Sequence, residues 1–257
     1  MCGIDKVYKV GGAQAIAAMA YGTETIPKVD KIFGPGNAWV TQAKMIVAET
    51  ISGAAIDMPA GPSEVMVIAD EEANPAFIAS DLLSQAEHGV DSQVILVTTS
   101  AIMANKVNEC LRQQLEKLSR QSIAAASLTH GKIIVVNDIR EAFTVSNQYA
   151  PEHLILQINN PESYIGLVEN AGAVFLGAYT PETVGDYVTG SNHVLPTGGY
   201  ARSVSGLSTD QFMKFINFQT VTQQGLKNIG PSAQQLALIE GLDGHQQAVT
   251  LRLKEIA

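Results

Sequence analysis

Residues 64–86, with the sequence EVMVIADEEANPAFIASDLLSQA, decide the fold class of this chain. The run Val65-Met66-Val67-Ile68 is short, apolar and rich in β-branched residues, which is typical of a buried strand. The stretch from Pro75 to Ala86 that follows has the pattern of a helix. A strand that leads directly into a helix is the repeating unit of a parallel sheet with crossover helices, so this segment predicts an α/β protein.

The same alternation continues towards the C-terminus. Further apolar runs predict strands at residues 94–97, 133–136, 154–158 and 173–176. Helical patterns lie between them, around Leu111, from Ile139 to Gln148 and, as a short helix, after Pro161. This order predicts about five strands in one open parallel sheet.

The residues before Glu64 form a smaller and incomplete pattern. We predict a strand at residues 7–10, a turn at Gly11-Gly12, a helix from Ala13 to Tyr21 and a strand or sheet edge at residues 31–33. A piece of this size cannot bury its own core, so we expect it to belong to an incomplete domain.

The residues after about Ser205 change character again. Two long helical segments are predicted there, Thr209 to Lys227 and Ser232 to Ile256, with Gly230-Pro231 between them. We expect these helices to pack on another body, such as a second subunit.

Composition excludes several classes of protein. The 257 residues are 46% hydrophobic, 16% charged and 6% aromatic, a balance typical of a soluble α/β metabolic enzyme. The net charge of -9 and the lack of a Lys/Arg-rich run argue against nucleic acid, which requires clustered cations. No stretch approaches the ~18 consecutive apolar residues that span a bilayer, and the N-terminus lacks the layout of a signal peptide. We therefore expect a cytoplasmic protein with no nucleic-acid or membrane partner.

The two cysteines, Cys2 and Cys110, are too few for a disulfide framework or a cysteine-based zinc site. Cys110 lies within a helical pattern, and we interpret it as a packing residue.

Two loops are rich in glycine and proline, GPGN at residues 34–37 and AGPS at residues 60–63. No Gly-Lys-Ser/Thr follows either loop and no full G-x-G-x-x-G occurs, so neither is a known phosphate-binding motif. Judged alone, both suit ordinary turns.

Gln85 and His88 are the first candidates for chemistry. They lie three residues apart near the end of the helix predicted at residues 75–86, so their side chains fall on one face and one ion could touch both. Imidazole nitrogen suits zinc, and an amide oxygen is a weak neutral ligand that leaves the charge of the ion available to a substrate. A polar helix C-terminus with a histidine favoured by the macrodipole would have the same sequence.

Glu152 and His153 directly precede the strand predicted at residues 154–158. A carboxylate and an imidazole at a strand end are well placed for proton transfer, although exposed loop charges would look the same. Asp186 and His245 would complete a zinc-binding set of two imidazoles, a carboxylate and an amide with Gln85 and His88. Asp186 would equally suit a helix cap, and His245 would equally suit an exposed surface residue.

Taken together, these residues resemble the histidinol dehydrogenase family. The segments IDMPAGPSE at 56–64 and DLLSQAEH at 81–88, with Ala69 and Ala76 between them, resemble the long signature of that family. Other segments similar to the family lie at residues 150–154, 185–187, 190–197 and 241–245. The resemblance covers the whole chain.

The resemblance implies a site for zinc, substrate and NAD. The implied ligands of one zinc ion per subunit are Gln85, His88, Asp186 and His245. His245 is implied to reach the metal from the partner subunit of an intertwined homodimer. The residues implied to contact substrate, alongside these ligands, are Ser63, His153 and Glu240. Gln14 and Asn37 match positions that bind NAD.

The implied reaction is the four-electron oxidation of L-histidinol to L-histidine through a bound aldehyde, L-histidinal, in histidine biosynthesis. Two NAD molecules would accept hydride in succession. Zinc would fix the imidazole and amine of the substrate. His153 would take the hydroxyl proton as hydride leaves, and Glu152 would activate the water that adds to the aldehyde.

Family members are considerably longer, so the resemblance implies that an N-terminal portion is missing. We expect an α/β fold with incomplete Rossmann-like open parallel sheets and a helical C-terminal extension. Residues 1–60 would form a partial second Rossmann-like domain that binds NAD. Residues 61–205 would form the main Rossmann-like domain with the metal and acid/base site, and residues 206–257 a helical dimerisation region.

Two alternative functions stay open at this point. One is a catalytically silent fragment that retains zinc binding and dimerisation. The other is a zinc hydrolase on the same scaffold, because Glu152 and His153 would activate water in either case. A requirement for NAD separates the hydrolase from the dehydrogenase.

Overall fold

The computed structural model describes residues 3–256, so Cys2 lies outside the described residues. The chain divides into two compact units, with the boundary between Phe212 and Met213. The domain boundaries predicted after residues 60 and 205 stay predictions. Within the described residues, none of the helices combines the length and the apolar character that crossing a membrane requires.

The first unit contains two sheets and the helices that flank them. The smaller sheet and its helices are α1 (Ala13–Tyr21), β1 (Lys31–Ile32), α2 (Ala38–Glu49) and β2 (Ala55–Ile56). The larger sheet and its flanking helices begin with β3 (Glu64–Ala69), α3 (Pro75–Ala86), β4 (Gln93–Thr98), α4 (Ala101–Leu115), α5 (Gln121–Leu128) and β5 (Lys132–Val135). It continues with α6 (Ile139–Tyr149), β6 (His153–Gln157), β7 (Ala173–Leu176) and α7 (Glu182–Tyr187). Short 3-10 helices span Pro161–Leu167, Tyr200–Arg202 and Thr209–Phe212.

The larger sheet has five parallel strands in the order β5-β4-β3-β6-β7. All six residues of the central strand β3 are buried, as expected for a strand with helices on both faces. Val65 and Val67 point into a core formed with α3, α4 and α5, against which Cys110 also packs. Met66 and Ile68 point into the opposite core, formed with α6. The predicted α/β class and the five-stranded sheet are confirmed.

The smaller sheet pairs β1 with β2 in parallel, and its core lies between these strands and helices α1 and α2. The helix predicted from Ala13 to Tyr21 is confirmed. The strand predicted at residues 7–10 is wrong, because those residues have no strand structure and Val7 is 80% exposed. A β-branched pattern becomes a strand only where a neighbouring strand pairs with it.

The second unit is a helical hairpin of α8 (Gln223–Ile239) and α9 (Asp243–Glu255). The predicted helix from Thr209 to Lys227 is wrong over most of its length, since residues 213–222 have no regular structure. The predicted break at Gly230-Pro231 is also wrong, because α8 continues through both residues. A Cβ on Gly230 would approach Leu253 to 3.0 Å, so this glycine allows close packing of α9 rather than ending α8.

The strand directions place the amino ends of β3 and β6 side by side, with Val65 paired to His153. Glu64 and His153 are the first residues of these strands. Helix α3 runs back against the strands, so its C-terminal end returns to the same edge of the sheet. The helix predicted from Pro75 to Ala86 is confirmed at both ends. Its last turn and the first residues of two strands therefore meet at one edge.

Candidate active site

A cavity of about 320 Å³ lies at this amino edge of the larger sheet. Its lining residues are Pro35, Ala60, Gly61, Ser63, His88, Glu152, His153, Glu182, Asp186, Tyr187, His193 and Leu195. No lysine or arginine is among them. Doubly wound sheets usually bind ligands at the carboxyl ends of their strands, so this cavity lies at the opposite edge from the usual crevice.

His153 is 4% exposed, and one hydrogen bond fixes its ring. Its Nδ1 lies 2.9 Å from the carbonyl oxygen of Glu64. A carbonyl can only accept, so Nδ1 carries the proton and donates it. Nε2 is buried and has no partner among the described residues. Burial lowers the pKa of His153, which favours the neutral ring with a free lone pair on Nε2.

Glu152 is buried beside His153 at the start of the same strand. Its Oε2 accepts a hydrogen bond of 2.8 Å from the backbone N–H of Glu64. The same oxygen lies 3.6 Å from His153 Nδ1, which is too far for a hydrogen bond. Burial raises the pKa of Glu152 to about 8, and the charges of Glu64 and Asp186 act in the same direction. The carboxyl group can therefore exchange a proton near neutral pH.

Glu182 and Asp186 lie four residues apart on α7, so they share one face of that helix. One ligand atom from each, with one from His153, all lie within 4.8 Å of one another. This group of a histidine and two carboxylates could hold a metal ion. Burial raises the pKa of Glu182 to about 9, and the charges of Asp186, Glu152 and Asp81 add to the shift.

Gln85 lies in the last turn of α3 and His88 two residues beyond its end, and the surroundings of the two side chains differ. Gln85 is fully buried, and neither its Oε1 nor its Nε2 has a hydrogen-bond partner among the described residues. His88 is exposed on the cavity wall, and its Nδ1 lies 2.8 Å from the carbonyl oxygen of Ser84. That bond makes Nδ1 the donor and leaves Nε2 free, which is the orientation that metal-binding histidines usually have. An orphaned buried amide and a histidine in this orientation each suit a metal ligand, while only His88 of the two lines the cavity.

The remaining predicted substrate residues are divided between the two units. Ser63 is half-buried and lines the cavity. Glu240 follows the last residue of α8, and His245 lies in the first turn of α9, both of them exposed in the second unit.

Glu182 and His193 also line the cavity, and the sequence predicted a role for neither. Glu182 precedes Asp186 by one helical turn, and that spacing was the only indication of it. His193 was included in a family-like segment without a role.

The predicted NAD residues both lie at helix starts. Asn37 caps α2, where its Oδ1 accepts hydrogen bonds from the backbone N–H groups of Trp39 and Val40. Gln14 lies in the first turn of α1, after Gly12, whose φ of 77° suits only glycine well. Pro35, from the same loop as Asn37, lines the cavity. The loop that contains one predicted NAD residue therefore borders the buried acid/base pair.

Comparisons with known proteins agree on one family. The family model described as histidinol dehydrogenase matches residues 1–253. The chain is 57% identical over 256 residues to a histidinol dehydrogenase of Legionella pneumophila (strain Paris), covering 100% of this chain and 59% of the relative. It is 55% identical over 257 residues to a histidinol dehydrogenase of Aliivibrio fischeri (strain ATCC 700601 / ES114), covering 100% of this chain and 58% of the relative.

A solved structure shows the same similarity in three dimensions. The crystal structure of histidinol dehydrogenase from Elizabethkingia anophelis matches with a TM-score of 0.94 and 54% identity. The match covers 99% of this chain and 58% of that chain. The chain thus spans about 59% of the length of the curated relatives it matches.

Proposed function

The chain belongs to the histidinol dehydrogenase family, and from this we propose that it contains the catalytic site for oxidation of L-histidinol to L-histidine. The reaction removes four electrons in two hydride transfers to NAD, with L-histidinal as the bound intermediate. We propose that this activity makes the protein a cytoplasmic enzyme of histidine biosynthesis.

One observation carries this proposal, the free Nε2 of His153 at the cavity. The ring is held by its bond to the carbonyl of Glu64, so the unprotonated nitrogen is fixed in place before substrate binds. A neutral imidazole with a free lone pair is suited to accept the proton of a substrate hydroxyl as hydride leaves the carbon. His153 is therefore the proposed base of both oxidation steps.

Glu152 is proposed to act in the second half of the reaction. An aldehyde must add water before it can lose a second hydride, and a carboxylate accepts the proton of that water. With its pKa raised to about 8, Glu152 is a stronger base than an ordinary glutamate once it is ionised. His153 would thus take a proton in each oxidation step, and Glu152 would take one from the water that adds between them.

We propose that one Zn²⁺ per subunit is held by Gln85, His88, Asp186 and the partner subunit's His245. The orphaned amide of Gln85 and the oriented ring of His88 support this ligand set. Bound zinc would supply a Lewis acid that orients the substrate and stabilises the developing negative charge. Residues 206–257 would exchange between subunits of a homodimer, with Glu240 and His245 at the turn between α8 and α9.

NAD is proposed to bind beside the loop at residues 34–37, with Gln14 and Asn37 as contacts. Gln14 lies at the N-terminus of α1, where no side chain caps the backbone N–H groups that favour anionic ligands. Ser63, His153 and Glu240 would contact the substrate together with the metal ligands.

The proposal is tested by incubating a full-length version of the protein with L-histidinol and NAD. We expect NADH to form, and histidine to appear only when NAD is present. Removal of zinc by dialysis against a chelator should abolish the activity, and added zinc should restore it. If a zinc-loaded full-length protein forms no NADH, the assignment fails. Zinc-dependent hydrolysis of an ester or amide without NAD, together with no NADH from histidinol, would instead indicate a hydrolase.

The chain spans 59% of the length of its Legionella pneumophila relative. That share favours a second candidate function. In this alternative, the chain by itself binds zinc and dimerises but does not turn over histidinol. Sedimentation would then show a dimer, and metal analysis would find one zinc per chain. No NADH would form from histidinol. Oxidation of histidinol by the chain alone would refute this alternative.

A further inference from the structure

Glu182 is a buried acid at the cavity to which neither the fold nor the proposed reaction assigns a role. It is 3% exposed, and its Oε2 has no hydrogen-bond partner among the described residues. Its Oε1 lies 3.6 Å from His153 Nδ1, but the proton on that nitrogen is already donated to the carbonyl of Glu64. A buried carboxyl oxygen without a partner is costly, and a donor on a bound ligand would offset that cost.

The neighbours of Glu182 define what kind of donor fits. Ligand atoms of His153, Glu182 and Asp186 lie within 4.8 Å of one another. Three atoms at that spacing share a centre that lies no more than about 2.8 Å from each, which is the length of an N–H···O hydrogen bond. The carboxylates of Glu182 and Asp186 are the acceptors of this group, and a nitrogen that carries at least two hydrogens could donate to both. No lysine or arginine lines the cavity to supply one.

We propose that Glu182 recognises the amino group of the substrate, with Oε2 accepting one of its N–H bonds. This inference rests on the proposed function, in which the substrate is a 2-amino alcohol. A carboxyl group accepts through its carbonyl oxygen whether or not it is protonated, so the contact does not depend on ionisation.

The contact would also align the reacting group. In a 2-amino alcohol, the amine and the hydroxyl stand on neighbouring carbons. An amine held by Glu182 would therefore bring the hydroxyl towards His153, whose ring belongs to the same three-residue group. Glu182 would make the site selective for alcohols with an adjacent amine.

The test uses binding as well as turnover, in the zinc-loaded full-length protein. Glu182→Met removes the acceptor at similar length, and Glu182→Gln keeps an acceptor oxygen. Each variant is titrated calorimetrically, without NAD, with L-histidinol and with the analogue in which hydrogen replaces the amine. We expect Glu182→Met to weaken histidinol binding about 10- to 100-fold and the analogue less than about threefold. The affinity of Glu182→Gln for L-histidinol should lie between those of wild type and Glu182→Met.

Controls separate this role from the other roles of a buried acid. Glu162→Met, at an exposed acid outside the cavity, should change neither affinity. Equal weakening of both ligands by Glu182→Met would indicate a structural role and overturn the inference. Loss of bound zinc from Glu182→Met would make Glu182 a metal ligand instead, which also overturns it. Unchanged histidinol binding would refute it as well.

The inference and the proposed function can fail separately. If wild type oxidises histidinol and Glu182→Met does so with the same KM, only the role of Glu182 is refuted. If wild type neither binds nor oxidises histidinol, the proposed function fails, and the role of Glu182 fails with it.

Discussion

His153 Nδ1 lies 2.9 Å from the carbonyl oxygen of Glu64, so the pairing of two strands selects the tautomer of the histidine. Both residues begin their strands, and Val65 of β3 is the register partner of His153 on β6. The sheet itself therefore holds the proposed acid/base site, and a backbone group performs the orienting task that other enzymes give to a carboxylate.

His153→Gln should lower the rate of NADH formation about 10²- to 10⁴-fold, because no group with a comparable pKa replaces the base. Zinc content should stay at one per chain, since His153 is not among the proposed ligands. Steady-state rates and metal analysis measure both quantities. His130→Gln, at an exposed histidine away from the cavity, is the matched control. A rate within tenfold of wild type would exclude His153 as the base.

Glu152→Gln should separate the two halves of the reaction. Alcohol oxidation needs His153 and should continue, whereas oxidation of added L-histidinal needs activated water and should slow about 10²- to 10⁴-fold. The variant should form close to one NADH per histidinol and release an aldehyde that semicarbazide traps. Equal loss in both assays would place Glu152 in a role common to both steps.

Stability of the metal-free chain should fall as pH rises, partly because of Glu152. Its pKa is raised from 4.5 to about 8, so the folded state binds the proton more tightly than the unfolded state. The resulting stabilisation is complete below pH 4.5 and is lost as pH rises through about 8. Glu152→Gln mimics the protonated form, so denaturant unfolding at several pH values should give a flatter profile for this variant. An unchanged slope would show that Glu152 has its ordinary pKa.

Gln85→Leu should weaken zinc binding and stabilise the metal-free chain. The substitution removes a buried amide without partners, so the free energy of unfolding of the metal-free chain should rise by about 1–3 kcal/mol. Zinc affinity should fall by about tenfold or more, because a ligand is lost. Denaturant titration and competition with a zinc chelator give the two values. A variant that is less stable and binds zinc normally would show that the amide has a structural role.

Mixed dimers of His245→Ala and His88→Ala test whether the proposed site is shared between subunits. Neither variant should retain zinc as a homodimer. In the mixed dimer, a crossing ligand rebuilds one complete site from the His88 of one chain and the His245 of the other. We expect half occupancy, measured as about one zinc per dimer. A mixed dimer without zinc would place His245 in the site of its own chain.

Local patterns in the sequence predicted most of the larger sheet. Val65 to Ile68 and the helix from Pro75 to Ala86 were assigned correctly because apolar periodicity is strongest in buried elements. The errors came from residues whose structure depends on distant partners. Val7 to Val10 lack a neighbouring strand, and Gly230 packs against α9 rather than ending a helix.

The candidate site was predictable only in part. Glu152, His153 and Asp186 were identified from sequence, and all three line one cavity. Glu182 was missed because α7 has only six residues, too few for a clear helical period. The bond from His153 to the carbonyl of Glu64 could not be predicted either, because it depends on the register of strands that lie far apart in sequence.

The most direct test of the proposed function counts NADH. A full-length, zinc-loaded protein with limiting L-histidinol and excess NAD should form about two NADH for each histidinol consumed, with L-histidine as the product. A ratio near one with aldehyde as the final product, or no NADH at all, would contradict a four-electron oxidation at this site.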